Sequence, residues 1–351
     1  MTGPENTLHN ALEPMLSRGS SATWAQLGKA ALQHLGRDVP QNDVEVCRAM
    51  TADKSIGDVI TAGVNSAIYA GFASEPDSTI SWTVEMSAAD FKESELFLLA
   101  SGSRLERIPR GGTAPQTGFD FAGLTYRVGR FGAKFTLDAQ DMVDGQHVGA
   151  VMFAVEQLGR AARRVRSDLV FSLILQNPVL PYDDTAMFHA DHSNLGSAVL
   201  GSAGLSTGMA ALGNATLSDD HGYPIHVNNG GALLVVPPDS AVASKALLHT
   251  LALGGSQDIA LAVESRIGGA GLADPTDGTL RVGLSTNWLL AATRPSVPAV
   301  VVCALDGNFL PDVSRFSLEG DGRYGVGWAV KLDLAVVAAS HDAVYWSSGT
   351  G

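Results

Sequence analysis

The segment FHADHSN (188–194) sets two imidazoles three residues apart, at His189 and His192, with Asp191 between them. Asp183 and Asp184 lie just upstream, and His221 and His226 follow downstream. Imidazole nitrogens and carboxylates are zinc ligands, and residues i and i+3 share a face where the chain is helical. Catalytic zinc also needs a third protein ligand and a carboxylate base of the kind HExxH supplies, and that motif is absent. Pro178 and Pro181 precede the segment, so helical geometry is not assured. The competing reading is a packed turn in which His189 and His192 are buried and hydrogen-bond to backbone.

Two other matches carry chemistry elsewhere. GLSTG (204–208) fits GxSxG with Ser206 as nucleophile, but the preceding SAVLGSA is too small and too Gly-broken for the buried strand that a nucleophile elbow needs. GDGRYG (320–325) fits GxGxxG, yet an alternating strand pattern follows it rather than a helix, so a pyrophosphate would find no helix N-terminus. It reads as a β-turn. No GxxxxGK[ST] occurs. Two catalytic alternatives stay open: a metal-dependent hydrolase on His189, His192 and Asp183 or Asp184, and a serine hydrolase at Ser206. Neither brings a complete constellation.

The elements that would position these residues follow from periodicity. TWAQLGKAALQHLG (23–36) has Trp24, Leu27, Ala31 and Leu35 at helical spacing, but residues 1–54 hold too little apolar material for a core and read as an arm needing a partner. Ser55 and Asp58 suggest a capping box opening a helix over 55–72. TISWTV, ELFLL and LTYRVGRFGAKFTL are β-like. Between the last two, RLERIPRGGTAPQTGFDFAG (104–123) reads as a long projecting hairpin. The pattern over 145–177 predicts a helix of roughly 50 Å with Val148, Val151, Met152, Val155, Leu158, Ala162, Val165, Leu169 and Leu173 on one stripe, ended by Asn177-Pro178. Arg160, Arg163, Arg164 and Arg166 on it read as a solvated face or a seat for an anionic partner. Residues 193–218 read as a flexible loop, since 14 of the 26 are Gly, Ser, Thr or Asn. GALLVVPP (231–238) reads as a buried strand and SAVASKALLHTLAL (240–253) as a helix. AVVVCAL, RFSL and VGWAVKLDLAV (326–336) are strands, the last with Val326, Trp328, Val330, Leu332, Leu334 and Val336 alternating. The class is α+β.

Composition narrows the function. The 351 residues are 45% hydrophobic and 17% charged, which is globular, and long enough for two or three packed units. The formal charge of −13 disfavours a groove that tracks phosphates. Cys47 and Cys303 are too few for a disulfide framework and point to a reducing compartment. MTGPENTLHN lacks the basic-then-apolar pattern of a secretory signal, and no span suits a membrane.

The order of several stretches resembles the major capsid proteins of tailed phages, most of all the group related to prohead protease–capsid fusions. These are SIGDVITAGVNSAIYAGF (55–72), DFK (90–92), RLERIP (104–109) and YRVGRFGAKFTLDAQDMVDG (126–145). LGRAARRVRSDLVFSLILQNP (158–178), MFHADHSNLG (187–196), GALLVVPP (231–238) and ALDGNFLPDV (304–313) complete the set. The resemblance implies the Hong Kong 97-type capsid fold. It assigns an N-terminal arm to 1–54, the start of a peripheral domain to 55–103, and an extended loop over a neighbouring subunit to 104–130. The peripheral domain with its spine helix (145–177) would take 131–187, an axial domain 188–300, and strands returning to the peripheral domain 301–351.

What the resemblance implies is a structural protein and not an enzyme. It would assemble into pentamers and hexamers of an icosahedral head around double-stranded DNA without sequence-specific binding. Portal, scaffold or decoration proteins are its further partners. Its place is the virion, and the host cytoplasm during assembly, with no cofactor, metal or membrane. Arg104, Arg107 and Arg110 in the loop, with Asp141 and Asp144, are the subunit-contact candidates. Relatives commonly have acidic residues in the loop and an Asn-Asp-Asp run near 141, from which this chain departs. No lysine lies within 104–130, so covalent cross-linking from this loop is not expected.

Overall fold

The computed structural model describes residues 4–99, 107–108, 110–113, 121–144, 147–218, 224–228, 230–253, 259–293, 295–318 and 325–351. The class is α+β, and the chain divides into two compact units. One comprises residues 1–76, 130–165 and 309–332; the other comprises 77–129, 166–308 and 333–351.

The first unit is mainly helical: α1 (Pro4–Leu12), α2 (Trp24–His34), α3 (Asp43–Ala52), α4 (Lys54–Ser74), α5 (Ala139–Val143) and the first part of α6 (Val148–Gln176). Thr23 opens α2 with a capping box closed by Gln26. The expected cap of α4 moves by two residues. Asp53, not Ser55, is the N-cap, and its carboxylate accepts from the Ser55 and Ile56 amides. A carboxylate also suits the positive end of the helix dipole. The partner that 1–54 requires is the rest of this unit. Leu8, Leu12, Trp24, Leu27, Val46 and Met50 share one core with Ile56, Val64, Ile68, Val151, Met152, Val155 and Trp328. Glycine sets how closely α4 and α6 pack. A methyl group added at Gly71 would collide with the Glu156 carbonyl, and one at Gly159 with the Ile68 carbonyl.

The helix α6 is shorter than the expected 145–177 and ends at Asn177, whose φ of 50° lies in the left-handed region. Asparagine tolerates that conformation, and the following proline disfavours continued helix. The arginines of α6 are not a uniform solvated face. Arg160 pairs with Glu156, Arg164 with Glu75, and Arg163 lies over the Phe72 ring. Arg166 is only 4% exposed and meets Glu85, Thr83 and Asp77.

In the second unit, Val84–Ala88 runs parallel to Val300–Leu305, which pairs antiparallel with the end of the strand Gly325–Ala338. The expected strand TISWTV is a 3-10 turn (Ser78–Ser81) followed by the strand from Val84. The hairpin Ser94–Leu99/Phe121–Tyr126 packs Leu96 and Leu124 onto Ala88, Val301, Cys303, Ala335 and Val337. The long C-terminal strand does not keep one buried face. Val326, Trp328 and Val330 lie in the first unit's core, but beyond Leu334 the buried residues are Ala335 and Val337, with Val336 half-buried. A strict period of two cannot report such a change of cover.

A second sheet runs Ile259–Val263, Ala232–Val236, Trp288–Ala292, Val344–Ser347 and Leu195–Gly196. Its central strands are fully buried, as GALLVVPP predicts. Two helices cover it, α7 (Ser202–Asn214) and α8 (Ala241–Leu253). Helix α7 overturns the expected flexible loop over 193–218. Its glycines are packing positions, since side chains at Gly204 and Gly208 would strike the Val199 carbonyl and Leu290. Small residues four apart let the helix lie close on the sheet.

Candidate functional site

The segment 177–194 is a packed turn. Asn177 clamps Phe188 from both sides, its Nδ2 donating to the Phe188 carbonyl at 3.1 Å and its Oδ1 accepting the Phe188 amide at 2.7 Å. Phe188 is buried against Trp346. Asn194, also buried, donates to the carbonyls of Met187 and His341 and accepts the His189 amide. Val179–Leu180 and Thr185–Ala186 form a two-stranded turn with Asp184 at φ 52°, and this turn aims Asp183 at the histidines.

The two histidines of FHADHSN have different fates. The His192 side chain is 8% exposed; its Nε2 lies 2.8 Å from Asp183 Oδ2 and its Nδ1 3.3 Å from the Met187 carbonyl. His189 is not the buried group expected beside it. Its side chain is 45% exposed, and its Nδ1 accepts the Asp191 amide. The second imidazole comes from His341, whose ring stacks on His192 with centroids 3.8 Å apart and planes 7° from parallel. The Tyr182 hydroxyl lies 2.8 Å from His341 Nδ1. Burial holds the His341 pKa below the usual histidine range; neighbouring His192 acts the same way, and Asp342 and Asp183 oppose it. A cavity of about 360 Å³ adjoins the stack, lined among others by Asp191, Asn194, Leu212, Asn214 and Thr216.

Neither catalytic alternative is assembled. The hydrolase grouping of His189, His192 and Asp183 or Asp184 is replaced by Asp183, His192 and His341, the one set of three His, Cys, Asp or Glu side chains among the described residues whose ligand atoms gather within 4.8 Å. The HADH motif pointed to the wrong second histidine, because His341 arrives from 149 residues away. Ser206 is exposed on α7, not on a strand-to-helix elbow. His221 and all but the last residue of GDGRYG lie outside the described residues.

The subunit-contact candidates among the described residues are surface residues. Arg107 and Arg110 are exposed, with Gly111 at φ 81° in a turn, and Arg104 lies outside the described residues. Asp141 sits on α5 and Asp144 is its C-cap, both exposed. Phe97 and Phe121, each 62% exposed, escaped notice in the sequence. The register pairs Phe97 with Gly123 and Leu99 with Phe121, so both rings stand on the hairpin face opposite Leu96 and Leu124. The signal was present in SELFLL, where apolar residues occupy both faces of a two-stranded element. Among the described residues no helix is long and apolar enough to cross a membrane.

No curated protein matches the chain. Solved structures give low-identity likenesses of fold. The procapsid of bacteriophage JBD30 is 14% identical with a TM-score of 0.48, covering 84% of this chain and 76% of that one. The mature capsid of bacteriophage PhiM1 is 11% identical with a TM-score of 0.49, covering 78% and 86%. A virus-like particle from Pyrococcus furiosus is 14% identical with a TM-score of 0.46, covering 82% and 98%. A family model described as phage capsid protein matches residues 123–347, well over half of the chain. That stretch runs through the hairpin's second strand, the long helix α6, the clamped turn at 177–194 and most of both sheets, and on this match the chain belongs to the phage capsid protein family, as a structural subunit of the virion shell and not an enzyme.

Proposed function

We propose that the chain is the major capsid protein of a tailed phage with the Hong Kong 97-type arrangement, forming pentamers and hexamers of an icosahedral head around double-stranded DNA. The observation that carries the reading is the hairpin Ser94–Leu99/Phe121–Tyr126, one face packed in its own unit and the other exposing Phe97 and Phe121. A two-stranded element with an apolar outer face gains stability when something covers it. In this reading a neighbouring subunit does.

The segments keep their expected roles: 104–130 as the extended loop, 145–177 as the spine helix, and 188–300 as the axial domain. Arg104, Arg107 and Arg110 meet Asp138, Asp141 or Asp144 of a neighbour. The formal charge of −13 suits a wall that does not grip the packaged DNA. Assembly in the host cytoplasm agrees with two buried, free thiols. Portal, scaffold and decoration proteins are the further partners of such a shell. With no lysine in 104–130, particles dissociate fully to monomers on boiling in SDS.

Negative-stain microscopy of the purified full-length protein tests the reading. Closed shells or ring-shaped capsomers support it. Monodisperse monomers across a range of salt and concentration would overturn it.

A further inference from the structure

We propose that Asp183, His192 and His341 form a binding site for one zinc-class divalent ion, which clips the 183–192 turn to the segment preceding the strand Val344–Ser347. The role is structural and goes beyond shell assembly.

The argument starts from the protons. His192 Nδ1 lies 3.3 Å from the Met187 carbonyl, an acceptor, and the tautomer with hydrogen on Nδ1 satisfies that contact. In the neutral ring Nε2 is then a bare lone pair, and it faces the Asp183 carboxylate at 2.8 Å. Two acceptors at that distance require a cation between them. A proton satisfies the pair, and so does a metal ion, for which an imidazole nitrogen and a carboxylate oxygen are natural ligands.

His341 brings a third ligand beside this pair. Its ring is held against His192, and the ligand atoms of all three residues lie within 4.8 Å of one another. Bond lengths of about 2.0–2.2 Å put neighbouring ligands of a tetrahedral zinc roughly 3.3–3.5 Å apart. To reach that spacing the 2.8 Å contact between His192 Nε2 and Asp183 must open, and the His341 nitrogen must settle against the pair. The rings are parallel, and imidazole lone pairs lie in the ring planes, so His341 must tilt out of the stack to share an ion. The adjoining cavity offers room for that tilt and for a water as fourth ligand. The supporting shell is already built: the Met187 carbonyl orients His192, the Thr185 amide and hydroxyl brace the Asp183 turn, and Asn194 ties down the His341 backbone. His189, exposed and turned to Asp191, takes no part.

The test uses the full-length protein, stripped with EDTA and dialysed into metal-free buffer, then titrated with zinc and, separately, cobalt(II). The expected result is one ion per chain, a raised melting midpoint, and cobalt d–d absorption typical of a four-coordinate nitrogen–oxygen site. His192→Ala, His341→Ala and Asp183→Asn each weaken binding by more than the ~10–100-fold that loss of an outer-shell partner costs. His189→Ala leaves it unchanged. Circular dichroism checks each variant, and His341→Gln, which keeps a hydrogen-bonding group for Tyr182, replaces any alanine variant that fails to fold. Substoichiometric zinc in the wild type overturns the proposal in favour of a shared proton. Binding that survives the loss of His341, or that falls equally with His189→Ala, overturns it as well.

Discussion

Asn177 and Phe188, eleven residues apart, are joined by a reciprocal pair of hydrogen bonds, side chain to backbone in both directions, at 3.1 and 2.7 Å. The residue that ends α6 in the left-handed conformation thus also fixes where the next segment begins. Asn177→Ala removes both bonds and places a Cβ-bearing residue without local hydrogen bonding at positive φ. The expected loss is about 2–4 kcal/mol, from an unsatisfied buried amide plus left-handed strain. Asn177→Gly keeps the conformation and loses only the bonds, so it is expected to melt between wild type and the alanine variant. Equal midpoints for glycine and alanine would remove the conformational part of this account.

Arg166 is expected to be the least replaceable cation of α6. It is buried beside Asp77, whose side chain is fully enclosed, and it reaches Thr83 and Glu85. Arg166→Ala removes the guanidinium from beside the enclosed Asp77 carboxylate, a loss of about 3–5 kcal/mol, while Glu85, 44% exposed, keeps its solvation. Arg164→Ala, which breaks the partly exposed pair with Glu75, costs within about 1 kcal/mol. Urea denaturation of the two variants side by side checks the ordering, and a reversed order would refute it.

Both thiols should resist labelling in the native protein. Burial pushes the Cys303 thiol up to about 11, an effect that its hydrogen bond with Tyr126 offsets only in part; burial also raises Cys47. The raised pKa means that folding favours the neutral thiol. That contribution is complete below the ordinary thiol pKa of about 8.5 and is lost as pH climbs from there toward 11. At pH 8, iodoacetamide should modify neither cysteine until denaturant is added. Rapid native labelling of Cys303 would show that the strand Val300–Leu305 opens easily.

Arg104 and the exposed Arg107 and Arg110 are expected to act between subunits rather than within one. Changing Arg104, Arg107 and Arg110 together to glutamate should leave a soluble, folded chain that forms few or no particles. Phe97→Ser with Phe121→Ser should do the same by removing the apolar outer face of the hairpin. Sucrose-gradient sedimentation separates particles from free subunits. A normal particle yield from the arginine variant would sink the charge pairing, and from the phenylalanine variant the covered-face reading.

Local pattern by itself determined the class and most elements. The helices α2, α4 and α6 and the buried strands Ala232–Val236 and Val300–Leu305 each carry their own periodicity or apolar run, which needs no distant partner to be read. The stop of α6 at Asn177-Pro178 is likewise a local steric fact. The order of the family-like stretches carried the functional reading, which the match over 123–347 supports.

Tertiary structure decided what depends on who meets whom. The helix α7 forms in a Gly- and Ser-rich run because the sheet behind it rewards small residues, a cause invisible in 193–218 alone. The strand Gly325–Ala338 changes its buried side because different neighbours cover its two parts. His192 takes His341 as its partner in place of His189, three residues away. Spacing can propose that two imidazoles share a face, but the path of the backbone decides it. In the turn after Pro178 that path sends His189 outward and brings His192 against a residue 149 positions later.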